Sequence, residues 1–259
     1  MITIFNGSVI VKIHEVGAYV YSLSMSGRDI LLQGNLERPT RGGMAILIPF
    51  ANRVKGGSYV WGGRVYELPR NEEGNAIHGL VLDKKFSIVE LNYNKATLAL
   101  RLSHPGYPTE LDLKVSYTAL MDGLEATIYV KNVGESDAPL VVGAHPYFIV
   151  RGHWSIEPMD VFRCVSVGKI PTGSIEPFKL IEGTYDDCFI IKGDVKLRSD
   201  YSTVVIEKPG MDYVQVYTVE GAVAVEPMSG APDAYHNGMG LAVIKPGEER
   251  LYTFRIRAY

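Results

Sequence analysis

Two ionisable side chains sit where apolar strand residues would be expected. In "LVVGAHPYFIV", from Leu140 to Val150, His145 stands in the middle of a run that otherwise reads as a buried strand. Counting in twos puts Val141, Gly143, His145 and Tyr147 on one face, and Gly143 leaves open space beside the imidazole. In "GAVAVEPM" the same count puts Ala222, Ala224 and Glu226 together, so two alanines leave room where the carboxylate emerges. Pro227 then removes an amide donor, as suits the end or edge of a strand. A lone strand histidine is commonly a packed or rim residue, and a glutamate at a strand end is commonly solvated. Set in apolar surroundings, though, a carboxylate becomes more basic, and a histidine with a glutamate is the minimum equipment for paired acid/base chemistry.

A third stretch, from Arg41 to Leu80, contains Asn52-Arg53 and ends near His78. These side chains offer a fixed fork of donors, a mixed donor and acceptor, and an amide with both, which matches a polyhydroxylated ligand. Arg53 in a surface salt bridge and His78 in a turn are the plainer alternatives. "YDDCF" contributes Asp186 and Asp187, which also suit a turn or cap. Trp61 and Trp154 are candidates for stacking on a sugar face.

Other chemistries lack their signatures. There is no GxGxxG or GxxxxGK[ST] loop, no GxSxG elbow, and no HExxH or HxH spacing. Cys164 and Cys188, 24 residues apart with no CxxC, read as two packed thiols in a reducing compartment. Lys and Arg total 26 against 29 Asp and Glu, a net charge of −3 with no basic stripe, which argues against nucleic acid as partner. No apolar run reaches the roughly 20 residues of a bilayer span. "MITIFNGSVI" lacks the pattern of a signal peptide. The expectation is a cytoplasmic protein without membrane contact.

The elements that must position these residues are strands. "LDLKVSYTAL" and "GLEATIYVKN" alternate with period two and flank Asp122-Gly123, a pair suited to a tight antiparallel turn. Ser26-Gly27, Gly62-Gly63 and Gly193-Asp194 are expected to join other strand pairs in the same way. "TVVIEK", "YVQVYTV", "AVAVEP" and "LYTFRIRAY" continue the pattern, and no long stretch has helical periodicity. The expected fold is all-β: a large antiparallel β-sandwich of some twenty short strands with very little helix, forming one domain over residues 1–259. Residues 34–57 and 228–240 read as long irregular loops of the kind that often carry function.

Five blocks in order resemble the aldose 1-epimerase family: "IPFANRVKGGSYVWGGRVYELPRNEEGNAIHG", "GAHPYF", "YDDCF", "VQVYT", and "VEP" with a following "IKPGE". The resemblance implies a galactose mutarotase-like β-sandwich (supersandwich) and a sugar epimerase that needs no cofactor or metal. It implies His145 as general acid and Glu226 as general base. Asn52, Arg53, His78, Tyr147, Asp186 and Gln215 would bind the hydroxyls of a small-molecule aldose. "HGL" stands where the family often has "HGG", "HPYFIV" lacks a common asparagine after "YF", and Asp187 stands where a histidine is frequent. These departures bear on which sugar is taken. "RGGMAILIP" is also similar to a block of hexose-6-phosphate 1-epimerases, with Arg41 and Arg70 as phosphate-binding candidates. A non-catalytic sugar-binding protein of the same fold is a further alternative.

Overall fold

The computed structural model describes residues 1–259, and its regular structure is almost entirely antiparallel strand, with one short α-helix at Ala234–Asn237. Eleven strands form one large sheet and eight a second, with three two-stranded ribbons beside them. The main core of 60 buried residues draws on both large sheets, which is the packing of a sandwich. The expected hairpin is present, but its two turn residues are Met121-Asp122 and Gly123 already belongs to the second strand: Leu111–Leu120 and Gly123–Asn132 pair over their full length, Leu111 opposite Asn132 and Leu120 opposite Gly123. Leu113, Val115 and Tyr117 point from it into the core, and the Tyr117 hydroxyl donates to the Ala18 carbonyl at 2.6 Å.

The functional strands lie at the centre of the eleven-stranded sheet, in the order Met44–Leu47, Gly143–Ile149, Ala222–Met228, Tyr213–Val219, Asp186–Ile190 and Asp160–Val167. One face of these strands gives Ala144, Phe148, Val223, Val225, Val214, Val216 and Phe189 to the main core. An antiparallel sheet commonly leaves its second face to solvent. Here loops cover that face too, and every residue of Ala222–Met228 is buried. A second cluster packs there, including Ala45, Leu47, Val141, Cys164, Cys188, Met228 and Ala231. Burial on both faces explains why these strands read as apolar runs rather than as strict alternations.

Two expectations need correction. Residues 34–57 are not a continuous loop: Met44–Leu47 is a fully buried central strand, and Arg53–Val54 pairs with Ala76–Ile77. The flanking glycines and arginines mask a strand of only four residues. Gly193-Asp194 does not close a hairpin. It lies between Asp186–Ile190 of the large sheet and Val195–Ser199 of the second sheet, so the chain crosses the sandwich there. No helix is long and apolar enough to cross a membrane.

Candidate active site

Cross-strand register assembles the site in two adjacent rows. Gln215 faces Glu226, and the pairs Gly143–Met228 and Tyr147–Ala224 place His145 opposite Glu226 on the next strand. Cys188 faces Gln215 on the other side. The neighbouring row runs Tyr147, Ala224, Tyr217, Asp186. Directly opposed residues on a sheet bring their side chains within contact distance, so four strands converge their polar groups on one patch. Ala224 keeps the centre of the patch low.

The patch floors a cavity of about 460 Å³, within the range of small-molecule sites. Asn52, Arg53, His78, His145, Tyr147, Asp186 and Glu226 all line it. Gln215 lies just behind, donating from Nε2 to Asp186 Oδ1 at 2.9 Å. Glu226 is 1 % exposed and His145 3 %, and His145 Nε2 stands 3.3 Å from Glu226 Oε1. His145 stacks on Tyr147, with ring centroids 4.7 Å apart and planes at 21°, and meets His78 edge-on at 5.2 Å. The Tyr147 hydroxyl donates to the Thr40 carbonyl at 2.7 Å, which fixes the ring that supports the imidazole.

Asn52 and His78 reach the cavity from the ribbon between Arg53–Val54 and Ala76–Ile77. Both have left-handed backbones, with φ of 57° and 62°, a conformation Asn and His adopt more readily than most residues. The His78 N–H donates to the Asn52 carbonyl at 2.9 Å. Asn52 Oδ1 accepts from Arg53 N at 2.9 Å and from Arg53 Nη1 at 3.2 Å, which orients the guanidinium. Behind the ribbon, buried Asp233 donates its N–H to the Arg53 carbonyl at 2.7 Å and accepts from Lys55 N at 2.8 Å; His236 Nδ1 lies 2.6 Å from the same carboxylate. Asp233→Ala is therefore expected to cost about 1–3 kcal/mol by removing the charged acceptor shared by Lys55 N and His236 Nδ1. An unchanged midpoint in urea unfolding would show that the Asp233 side chain does not brace the ribbon.

Four buried polar atoms have no hydrogen-bond partner in the protein: His78 Nδ1, His145 Nδ1, Gln215 Oε1 and Glu226 Oε2. Each carries a desolvation cost of about 1–3 kcal/mol, and their concentration in one place is the mark of a site built for a ligand rich in donors and acceptors. Burial pushes the Glu226 carboxyl well above its ordinary range, with the Asp186 charge adding and Arg53 opposing. Burial likewise depresses His145 to about 3 and takes His78 well below its usual value. Burial thus favours the neutral form of each group, the protonated carboxyl and the unprotonated imidazole. A pair of this kind can give a proton from one group while its partner accepts another. No group of three or more His, Cys, Asp or Glu side chains is arranged to hold a metal.

Several sequence candidates lie elsewhere. Asp187 does not line the cavity. The Trp61 indole donates to the Asp137 carbonyl at 2.9 Å, and Trp154 packs edge-on against Tyr185, so neither is available for stacking there. Arg41 lines the cavity and donates to the Tyr217 hydroxyl at 3.0 Å, whereas Arg70 is outside and paired with Glu67 at 2.7 Å. Cys164 and Cys188 are free and buried, their sulfurs 3.0 Å apart. The structure adds Tyr217, Lys169 and Glu73 to the lining. Tyr217 follows from Gln215 by a count of two. Lys169 and Glu73 sit in turns and carry no sequence signal.

The family model for aldose 1-epimerase matches residues 1–257. The uncharacterized protein YihR of Escherichia coli strain K12 is 28% identical over 93% of this chain and 87% of its own length. The galactose mutarotase of Mus musculus is 32% identical across 60% of this chain; that match spans 47%, about half, of the relative. A galactose mutarotase-like protein from Lactobacillus casei superposes with a TM-score of 0.86 over 100% of both chains at 20% identity. A galactose 1-epimerase from Lactobacillus acidophilus gives 0.77 over 99% of this chain and 93% of its own, at 17% identity. These structural likenesses establish the galactose mutarotase-like sandwich, and the family model extends across nearly every residue: the chain belongs to the aldose 1-epimerase family.

Proposed function

We propose that the protein is an aldose 1-epimerase that interconverts the α and β anomers of a neutral hexose such as glucose or galactose. The observation that carries this reading is the buried His145–Glu226 pair at 3.3 Å on the floor of a polar cavity. Glu226, as carboxylate, takes the proton from the anomeric hydroxyl while His145, as imidazolium, gives one to the ring oxygen. The bond between the anomeric carbon and the ring oxygen breaks and an aldehyde forms. Rotation about the adjacent carbon–carbon bond presents the other carbonyl face. Closure reverses both transfers, so the pair ends with the one proton it began with. The reactive form, Glu226 ionised and His145 protonated, differs from the resting form only by proton transfer across their contact. Asn52, Arg53, His78, Tyr147, Asp186 and Gln215 hold the hydroxyls so that the open chain stays in reach of both groups.

A neutral substrate is favoured by the charges. Arg41, Arg53 and Lys169 are balanced by Glu72, Glu73 and Asp186 in the lining, and Arg53 and Lys169 are each engaged by a carboxylate. With Arg70 outside the cavity, the phosphate-binding pair expected of a hexose-6-phosphate enzyme is not assembled.

A single shared proton sets the pH response. The acid limb requires a second proton on His145, held near 3, and the alkaline limb requires loss of the only proton from a pair in which Glu226 is raised. The kcat/KM for mutarotation is therefore expected to show no break near neutrality and to fall on the acid side only toward the His145 value of about 3. A break near 6.5, the ordinary histidine value, would contradict the shared-proton pair. The reaction itself is tested by NMR exchange between the anomeric protons of D-glucose and of D-galactose at equilibrium. Exchange proportional to protein concentration supports the epimerase. Binding without exchange would make the protein a sugar binder, and exchange confined to glucose 6-phosphate would move the substrate to the phosphorylated class.

A further inference from the structure

Two elements meet across the mouth of the cavity. Glu73 comes from the loop Asn71–Asn75, which braces itself: Asn71 Oδ1 accepts from Glu73 N at 3.0 Å and from Asn75 N at 3.1 Å, and Asn71 N donates to the Asn75 carbonyl at 2.7 Å. Lys169 comes from the turn between Asp160–Val167 and Ile170–Lys179. Arg53 donates from Nε to Glu73 Oε2 at 2.7 Å and from Nη2 to Oε1 at 3.2 Å. Lys169 Nζ lies 3.6 Å from Glu73 Oε1 and 2.9 Å from Asp186 Oδ2. The result is an alternating chain, Arg53–Glu73–Lys169–Asp186, from the cavity wall to the rim and back to the floor. Arg53 is 7 % exposed at its side chain and Glu73 42 %, so the carboxylate caps a buried cation from the solvent side. The fork to Arg53 holds the Glu73 carboxyl at about 2, and the cap stays charged at any working pH.

We infer that Glu73 is a specificity-determining residue that makes the site select neutral aldoses over anionic ones. The inference rests on the reading of the cavity as an aldose site. An incoming carboxylate or phosphate finds Arg53 and Lys169 already neutralised and meets the Glu73 charge, with the Glu72 carboxylate beside it. Neutral hydroxyls pay no such cost, because they can donate to Glu73 and accept from Lys169. Discrimination of this kind comes from repelling the wrong ligand as much as from attracting the right one.

The test compares binding of D-glucose and D-glucuronate to the full chain by NMR titration, in wild type, Glu73→Gln, and Glu73→Gln combined with Lys169→Met. The glutamine keeps the shape and one acceptor but removes the charge that neutralises Arg53 and lies 3.6 Å from Lys169. The ratio of glucuronate to glucose affinity is expected to rise about tenfold or more in Glu73→Gln, to decline with added salt, and to drop back when Lys169 is also removed. Glu176→Gln, which removes a carboxylate paired with Arg163 outside the cavity, leaves the ratio at its wild-type value. An unchanged ratio in Glu73→Gln, or a wild type that binds glucuronate as tightly as glucose, overturns the inference while leaving the epimerase intact. A wild type that neither binds glucose nor exchanges its anomers overturns both.

Discussion

Glu226→Gln is expected to lower kcat for mutarotation by about 10²–10⁴, with a much smaller change in KM. Glutamine has the same shape and can still meet a sugar hydroxyl, but it cannot take a proton. Substrate binding therefore survives in large part and the transition state loses its base. Changing His145 to glutamine removes the partner acid and should act at the same step, so the double variant is expected to be little worse than either single one. The carboxyl is buried at 1 % exposure and forced toward its neutral form, so it is held at a cost to folding. Glu226→Gln should accordingly unfold at the same temperature as wild type or higher. Polarimetry and calorimetry on the same preparation separate lost chemistry from lost structure. Activity retained within a few-fold of wild type would remove Glu226 from the mechanism.

Gly79→Ala is expected to destabilise the fold by about 2–4 kcal/mol. Gly79 has φ of +82°, which any residue with a Cβ adopts at a cost. An added Cβ would lie 2.2 Å from the Ile48 carbonyl oxygen and 2.7 Å from Ile48 C and N. That obstacle is backbone and has no rotamer to change. It is also committed, because the same carbonyl accepts from Leu80 N at 2.7 Å. Relief requires the chain around residue 79 to move away from Ile48, and the adjoining His78, itself at φ of 62°, moves with it. The midpoint of urea unfolding should fall with little change in slope, and KM for the sugar should rise. An alanine variant with wild-type midpoint and KM would show that this close approach does not hold His78 in place.

Much of the architecture was legible because a strand's two-residue period leaves a plain trace. The alternation in Leu111–Leu120 and Gly123–Asn132 marks both strands of a ten-residue pairing, although the turn between them falls one residue before Asp122-Gly123. His145 and Glu226 stood out because each interrupts an apolar run, and small neighbours at Gly143, Ala222 and Ala224 marked open space on the same face. Their proximity was not legible: it comes from strand order, and the strands carrying them pair across more than seventy residues of intervening chain. The Met44–Leu47 strand was hidden by its short length and glycine-rich flanks. Gly193-Asp194 has the residues of a hairpin turn, yet the strands beside it belong to different sheets. Turn chemistry reports local backbone shape, not which strands pair. Glu73 and Lys169 were invisible for a related reason. Each looks like an ordinary exposed turn residue until the fold brings the two to one rim.

The central claim is that His145 and Glu226 open and close a sugar ring. Its most direct measurement is polarimetry on freshly dissolved α-D-glucose and α-D-galactose, with wild type, His145→Ala and Glu226→Ala in parallel. The account predicts that wild type speeds the change in rotation in proportion to its concentration with at least one sugar, and that both variants fall close to the rate in buffer. No acceleration by the wild type, or acceleration that persists in either variant, would contradict it.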